Sequence, residues 1–114
     1  MIGLIDTGAS VVCINKRIVR TLGLRAVDQD VVLVPGGQLL DATIYLARLE
    51  IPELGFSELT PLYAANMGRG GYQMLLGRSL LRHFITTFDG PAGMFHVHRP
   101  RSAPEREADD DYAT

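Results

Sequence analysis

The apolar residues of this chain come in short runs, each soon closed by Gly, Pro, Ser or Asn, and that punctuation suits strands rather than long helices. Residues 2–5 and 11–14 are two such runs. Asn15 can cap a short helix that carries Ile18, Val19 and Leu22 at helical spacing, with Gly23 as its stop. Residues 31–34 are apolar and β-branched, Pro35-Gly36-Gly37 breaks them, and residues 38–51 alternate loosely, with Thr43, Tyr45 and Leu49 on one side and Ala42, Ile44 and Leu46 on the other. This reads as a β-hairpin with a Gly-rich tip. Pro52 ends that strand, residues 59–65 offer the next, and residues 66–71 form a loop. Leu80, Leu81 and Phe84 are spaced for one or two helical turns after the apolar segment 74–77. Residues 85–88 and 94–98 are a final strand pair joined by Asp89-Gly90-Pro91-Ala92-Gly93. The expected class is mainly β with one or two short helices.

At 114 residues and 46% hydrophobic content, the chain can bury one core and not two, so one domain is expected. We place it at residues 1–98, followed by a disordered polar and acidic tail at 99–114, where Pro, Arg, Glu and three consecutive aspartates leave nothing to bury. Eleven basic against thirteen acidic residues give a net charge of -2, which argues against a nucleic-acid partner held by bulk electrostatics. No apolar run is long enough to span a bilayer, and no leader is visible ahead of residue 2; the compartment is left open, with the cytoplasm as the default and an upstream signal or membrane anchor as the alternative. The single cysteine, Cys13, excludes an internal disulfide and a cysteine-based zinc cluster. Cys13 lies in an apolar run and reads as a small core residue rather than a nucleophile. His96 and His98 share one face of a strand, but no third ligand is in view, and no metal or other cofactor is expected.

One segment carries chemistry. Leu4-Ile5-Asp6-Thr7-Gly8-Ala9-Ser10 puts a carboxylate at the end of a buried apolar strand, beside a tight turn where Gly8 admits close approach of another backbone. The plainer reading is an Asp that only opens a turn by accepting backbone N–H bonds. A second segment, Met74-Leu75-Leu76-Gly77-Arg78-Ser79-Leu80-Leu81, is an apolar stretch and a glycine leading into a short helix.

Together these two segments, in this order and separation, resemble the retropepsin-like aspartic protease family, and a cellular or bacterial member of it. Its subunits carry an apolar pair before Asp-Thr-Gly-Ala and later an apolar pair followed by Gly-Arg-x-Leu-Leu. The resemblance covers residues 2–98 and implies the acid protease fold, a closed β-barrel with a flap hairpin. It implies that Asp6 is the catalytic carboxylate, that Thr7, Gly8, Ala9 and Gly77 support it, and that Pro35, Gly36 and Gly37 form the mobile flap over an extended peptide or protein substrate. Two carboxylates that share one proton can serve as base and acid in turn, activating water and protonating the leaving group. One chain supplies one such Asp, so the dyad implies a homodimer with Asp6 contributed twice. Ser10 stands where retroviral members place an Asp that can hold the arginine matching Arg78. Family subunits also carry strands ahead of the Asp-Thr-Gly segment, whereas residues 1–5 alone precede Asp6 here. Either the subunit does without those strands and its interface falls to the pair 85–88 and 94–98, or the protein begins upstream of residue 1. The resemblance leaves two functions open: an aspartic endopeptidase, or a non-catalytic peptide-binding or dimerisation module of the same fold. Val31, Val34, Leu39 and Leu75 are candidates for the substrate pockets.

Overall fold

A computed structural model describes residues 1–33, 36–67 and 71–100. The chain divides into a unit spanning Met1–Leu80 and a second beginning at Leu81. The first contains β1 (Gly3–Ile5), β2 (Val12–Asn15), helix α1 (Lys16–Leu22), β3 (Ala26–Leu33), β4 (Leu39–Ile51), a 3-10 turn (Pro52–Leu54), β5 (Phe56–Ala65) and β6 (Met74–Leu76), and ends in the single turn of α2 (Arg78–Leu81). The strands form one sheet in the order β1-β6-β2-β5-β4-β3. β1 runs parallel to β6 and β2 parallel to β5, whereas β2 and β6, β5 and β4, and β4 and β3 are antiparallel. The mainly β class is as expected. Among the described residues the hydrogen-bonded pairings run from β1 at one end of the order to β3 at the other.

Local chemistry accounts for most boundaries. Asn15 caps α1 by accepting a hydrogen bond from the backbone N–H of Arg17 at 3.2 Å, and Gly23 closes the helix in the left-handed conformation. Asn15 is itself buried, so its capping bond is shielded from water. Asn15→Ala is expected to destabilise the protein by about 1 kcal/mol, read as a lower midpoint in urea with an unchanged slope. The helix holds only seven residues, and of Ile18, Val19 and Leu22 only Val19 is buried; Leu22 is 52% exposed.

Two strands are longer than their apolar content suggests. β3 begins at Ala26, five residues ahead of the run at 31–34, and through Asp28, Gln29 and Asp30 it is held by pairing with β4 rather than by burial. A bulge between Ala26 and Asp28 shifts its register. β5 begins at Phe56 rather than at residue 59: Ser57, Glu58 and Leu59 are exposed and break the apolar pattern, and pairing with β4 makes them strand. Pro61 is tolerated within β5 because it pairs with Leu46 of β4 just before the stretch that also pairs with β2 begins at Leu62.

The core of this unit is small. Val12 and Ile14 of β2 are 0% and 1% exposed and lie in register with Leu62 and Ala64 of β5, which are buried with them. Val19, Phe56, Met74 and Leu80 are buried too, and Ala42 and Ile44 of β4 are buried on the face that strand register gives to Tyr63 and Cys13. Cys13 alternates out of the layer of Val12 and Ile14, so its expected role as a core residue is only half right: it is half-buried and faces the other side of the sheet.

The second unit is the hairpin of β7 (Ile85–Asp89) and β8 (Met94–His98), antiparallel with Phe88 opposite Phe95. The tip is held by the Ala92 N–H on Asp89 Oδ1 at 3.1 Å and by the Gly93 N–H on the Gly90 carbonyl at 3.0 Å. Of the one or two helical turns expected up to Phe84, one forms, and the Phe84 N–H closes a turn on the Leu81 carbonyl after it. Ile85, Phe88, Met94 and Phe95 are all exposed. The polar tail proposed from Arg99 onward falls outside the described residues beyond Pro100. No described helix is long and apolar enough to cross a membrane.

Candidate active site

β1 is only three residues long, and the loop after it is sutured to the end of β6 and the start of α2. The Asp6 N–H donates to the Leu76 carbonyl at 3.1 Å, the Arg78 N–H to the Ala9 carbonyl at 2.8 Å, and the Ser79 N–H to the Ser10 carbonyl at 3.0 Å. These bonds hold residues 6–10 against residues 76–79. Inside the loop, Asp6 Oδ1 accepts the Gly8 N–H at 3.0 Å, and the Ala9 N–H donates to the Asp6 carbonyl at 3.2 Å. The turn-opening geometry of an Asx turn is therefore present. Among the described residues only Oδ1 of the carboxylate is engaged, and Asp6 is half-buried.

Gly77 makes the packing possible. A Cβ at this buried position would run into the carbonyl oxygen of Val11 and lie 2.7 Å from that of Ala9, so only a residue without a side chain lets β6 turn into α2 beneath the loop.

Arg78 is the residue that sequence reasoning undervalued. With Ser10 in place of an acidic partner its side chain had no evident role, yet Nη1 donates to the Thr7 carbonyl at 2.7 Å. The guanidinium thus braces the loop from the C-terminal side while the Arg78 backbone braces Ala9. Its signal was the adjacency to Gly77; its partner, a backbone carbonyl, has no signature in a sequence.

A cleft of about 600 Å³ opens over this loop, lined by Asp6, Gly8, Ala9 and Ser10 on one side and by β3 residues from Asp30 to Leu33 on another. Cys13, Tyr63 and Leu75 line it as well, and they form a row across three strands, since Cys13 pairs with both Tyr63 and Leu75. Of the expected pocket residues, Val31 and Leu75 line the cleft and Leu39 does not; Val34 lies outside the described residues. Burial pushes the Cys13 thiol above its ordinary range, and the Asp6 carboxylate nearby adds to that shift. The thiol therefore stays protonated near neutral pH and is a poor nucleophile. Tyr63 is also raised, first by burial, then by the charge of Asp30 and the hydrogen bond its hydroxyl donates to Asp30 Oδ2 at 3.4 Å, with smaller effects of Asp28 and Cys13. Nothing in the order of residues marked Asp30 or Tyr63 for the cleft; both arrive through pairing across β3, β4 and β5.

The expected site is thus brought together in part. Asp6, Thr7, Gly8, Ala9 and Gly77 meet in one loop assembly. Gly36 and Gly37 sit at the tip of the β3–β4 hairpin with φ of 98° and 82°, values that favour glycine, and they do not line the cleft; Pro35 lies outside the described residues. Among the described residues no group of three or more His, Cys, Asp or Glu is arranged to hold a metal ion.

Comparison with known proteins places this arrangement. Seven chains of solved structures match the fold. One is a retropepsin-like aspartic protease from Rickettsia conorii, with a TM-score of 0.50 and 23% identity. That match covers 75% of this chain and 65% of the other, so the chain spans less than two thirds of the structure it resembles. No curated protein matches the chain. The family described as "gag-polyprotein putative aspartyl protease" matches residues 2–83, which include both the Asp6 loop and the Gly77–Arg78 junction beneath it. The chain belongs to this retropepsin-like aspartyl protease family.

Proposed function

We propose that the protein is one subunit of a homodimeric aspartic endopeptidase, in which Asp6 from each of two copies forms the catalytic dyad. The observation that carries this reading is the Asp6 loop, held from below and opening on a cleft with one carboxylate oxygen unengaged among the described residues. Two carboxylates about 3 Å apart share one proton, so that one polarises a water as base while the other protonates the carbonyl oxygen and then the leaving amine. Thr7 is exposed at the front of the loop, where its hydroxyl can meet the second copy. Gly8 admits the substrate backbone, and Ala9 and Gly77 hold the loop in place. The β3–β4 hairpin, with Gly36 and Gly37 at its tip, is the flap that closes over an extended peptide and pairs with its backbone. In this reading residues 1–98 are the protease domain. The exposed apolar side chains of β7 and β8, Phe88 and Phe95 foremost at 58% and 51% exposure, supply subunit contacts.

One observation favours a second reading, a peptide-binding or dimerisation module of the same fold: a single chain carries a single Asp in the loop, so chemistry depends on the second copy being seated. A pH profile separates the two. The dyad needs one shared proton, so hydrolysis of a peptide library should decline on the alkaline side as that proton is lost. Absence of turnover at every pH, with a dimer present by sedimentation, favours the binding module and sinks the protease reading.

A further inference from the structure

The cleft over the Asp6 loop carries a second carboxylate. Asp30 lies on β3, directly across from Ala42 of β4, and both line the cleft. The surfaces around it are small or apolar: Ala42, Ala64 and Ala65 leave space, and Val31, Val32 and Leu33 of β3 also line the cleft, Val32 on the same face of the strand as Asp30. Among the described residues, no Lys, Arg or His lines the cleft. Asp30 is positioned by its own strand, since its Oδ1 accepts the Val31 N–H at 2.7 Å, and by the Tyr63 hydroxyl on Oδ2 at 3.4 Å. The Tyr63 hydroxyl donates into this carboxylate, so Asp30 is oriented, and among the described residues no cationic side chain lines the cleft to neutralise its charge.

We propose that Asp30 selects a substrate side chain ending in a cation, lysine or arginine, which runs along β3 and over Ala42 to place its charge on the Asp30 carboxylate. The proposal rests on the reading of the cleft as a peptide-binding site, but not on cleavage. A long aliphatic stem with a charged tip matches a cleft that is apolar along its length and anionic at one position. The carboxylate is solvent-exposed, so the effect is moderate and salt-dependent.

The test uses two readouts. In the first, wild type and Asp30→Asn are compared in kcat/KM on a peptide library with Lys, Arg, Gln or Met at each position in turn. Wild type should prefer Lys or Arg over Gln at one position by about fivefold, and Asp30→Asn should level that ratio. In the second, binding of the same peptides is measured by fluorescence anisotropy with Asp6→Asn, alone and combined with Asp30→Asn. The Lys and Arg peptides should bind better than Gln, less so in high salt, and the advantage should vanish with Asp30→Asn. If no variant cuts but the binding preference depends on Asp30, the protease reading fails and this one stands. If cleavage occurs with a preference that Asp30→Asn leaves unchanged, or if neither wild type nor Asp6→Asn distinguishes Lys from Gln or binds any of the peptides, the proposal is overturned.

Discussion

Asp6→Asn is expected to lower kcat/KM for peptide hydrolysis by on the order of 10³-fold or more while leaving the thermal midpoint close to that of the wild type. The two halves of this expectation come from different atoms. Asp6 Oδ1 accepts the Gly8 N–H, and the amide oxygen of asparagine can accept the same bond, so the loop keeps its internal turn. The backbone bonds that tie Asp6 to Leu76 and Ala9 to Asp6 do not involve the side chain at all. Chemistry, in contrast, needs a carboxylate that can take up and release a proton, and an amide cannot. Kinetics on a cleaved peptide together with circular dichroism checks both halves. Undiminished hydrolysis by the variant would remove Asp6 from the mechanism, and loss of the fold would mean that the carboxylate is structural.

Gly77→Ala is expected to destabilise the protein by about 3 kcal/mol, at the severe end of overpacking, and to reduce activity with it. A methyl group at this position meets the backbone carbonyls of Val11 and Ala9, not the end of a flexible side chain. Neither can move alone. The Ala9 carbonyl accepts the Arg78 N–H at 2.8 Å, and Val11 leads directly into β2, the strand that carries the most buried residues of the core. Relief therefore requires β6 to move away from the loop, which weakens the bonds from Asp6 to Leu76 and from Arg78 to Ala9. Set against a typical domain stability of about 5–15 kcal/mol, this is a large fraction. Denaturant melts of the wild type and variant test it, and an unchanged midpoint would mean that the glycine is not there for packing.

The two expectations differ in how far they could be read without a structure. Asp6 stands in a motif whose chemistry is local: carboxylate, hydroxyl, glycine and small residue in consecutive positions. Gly77 was marked by its place between an apolar segment and a short helix, but the carbonyls that exclude a side chain there belong to residues 9 and 11, more than sixty positions away. The same holds for the elements. The cap at Asn15, the stop at Gly23 and the break at Pro52 act through their immediate neighbours and fall where local chemistry puts them. The starts of β3 and β5 do not, because Asp28, Gln29, Ser57 and Glu58 are strand residues only by virtue of a partner strand.

By itself the sequence determined the mainly β class, the hairpin turns, the helix caps and the loop that carries Asp6, since each depends on residues close together in the chain. Tertiary structure alone decided which side chains share the cleft. Cys13, Tyr63 and Leu75 come into one row, and Asp30 comes to face Ala42, because strand register couples residues far apart in sequence, and a shift of one position would turn each of them to the opposite face. It also decided the partner of Arg78. A guanidinium can satisfy itself on any nearby carbonyl oxygen, and only the fold brings that of Thr7 within 2.7 Å.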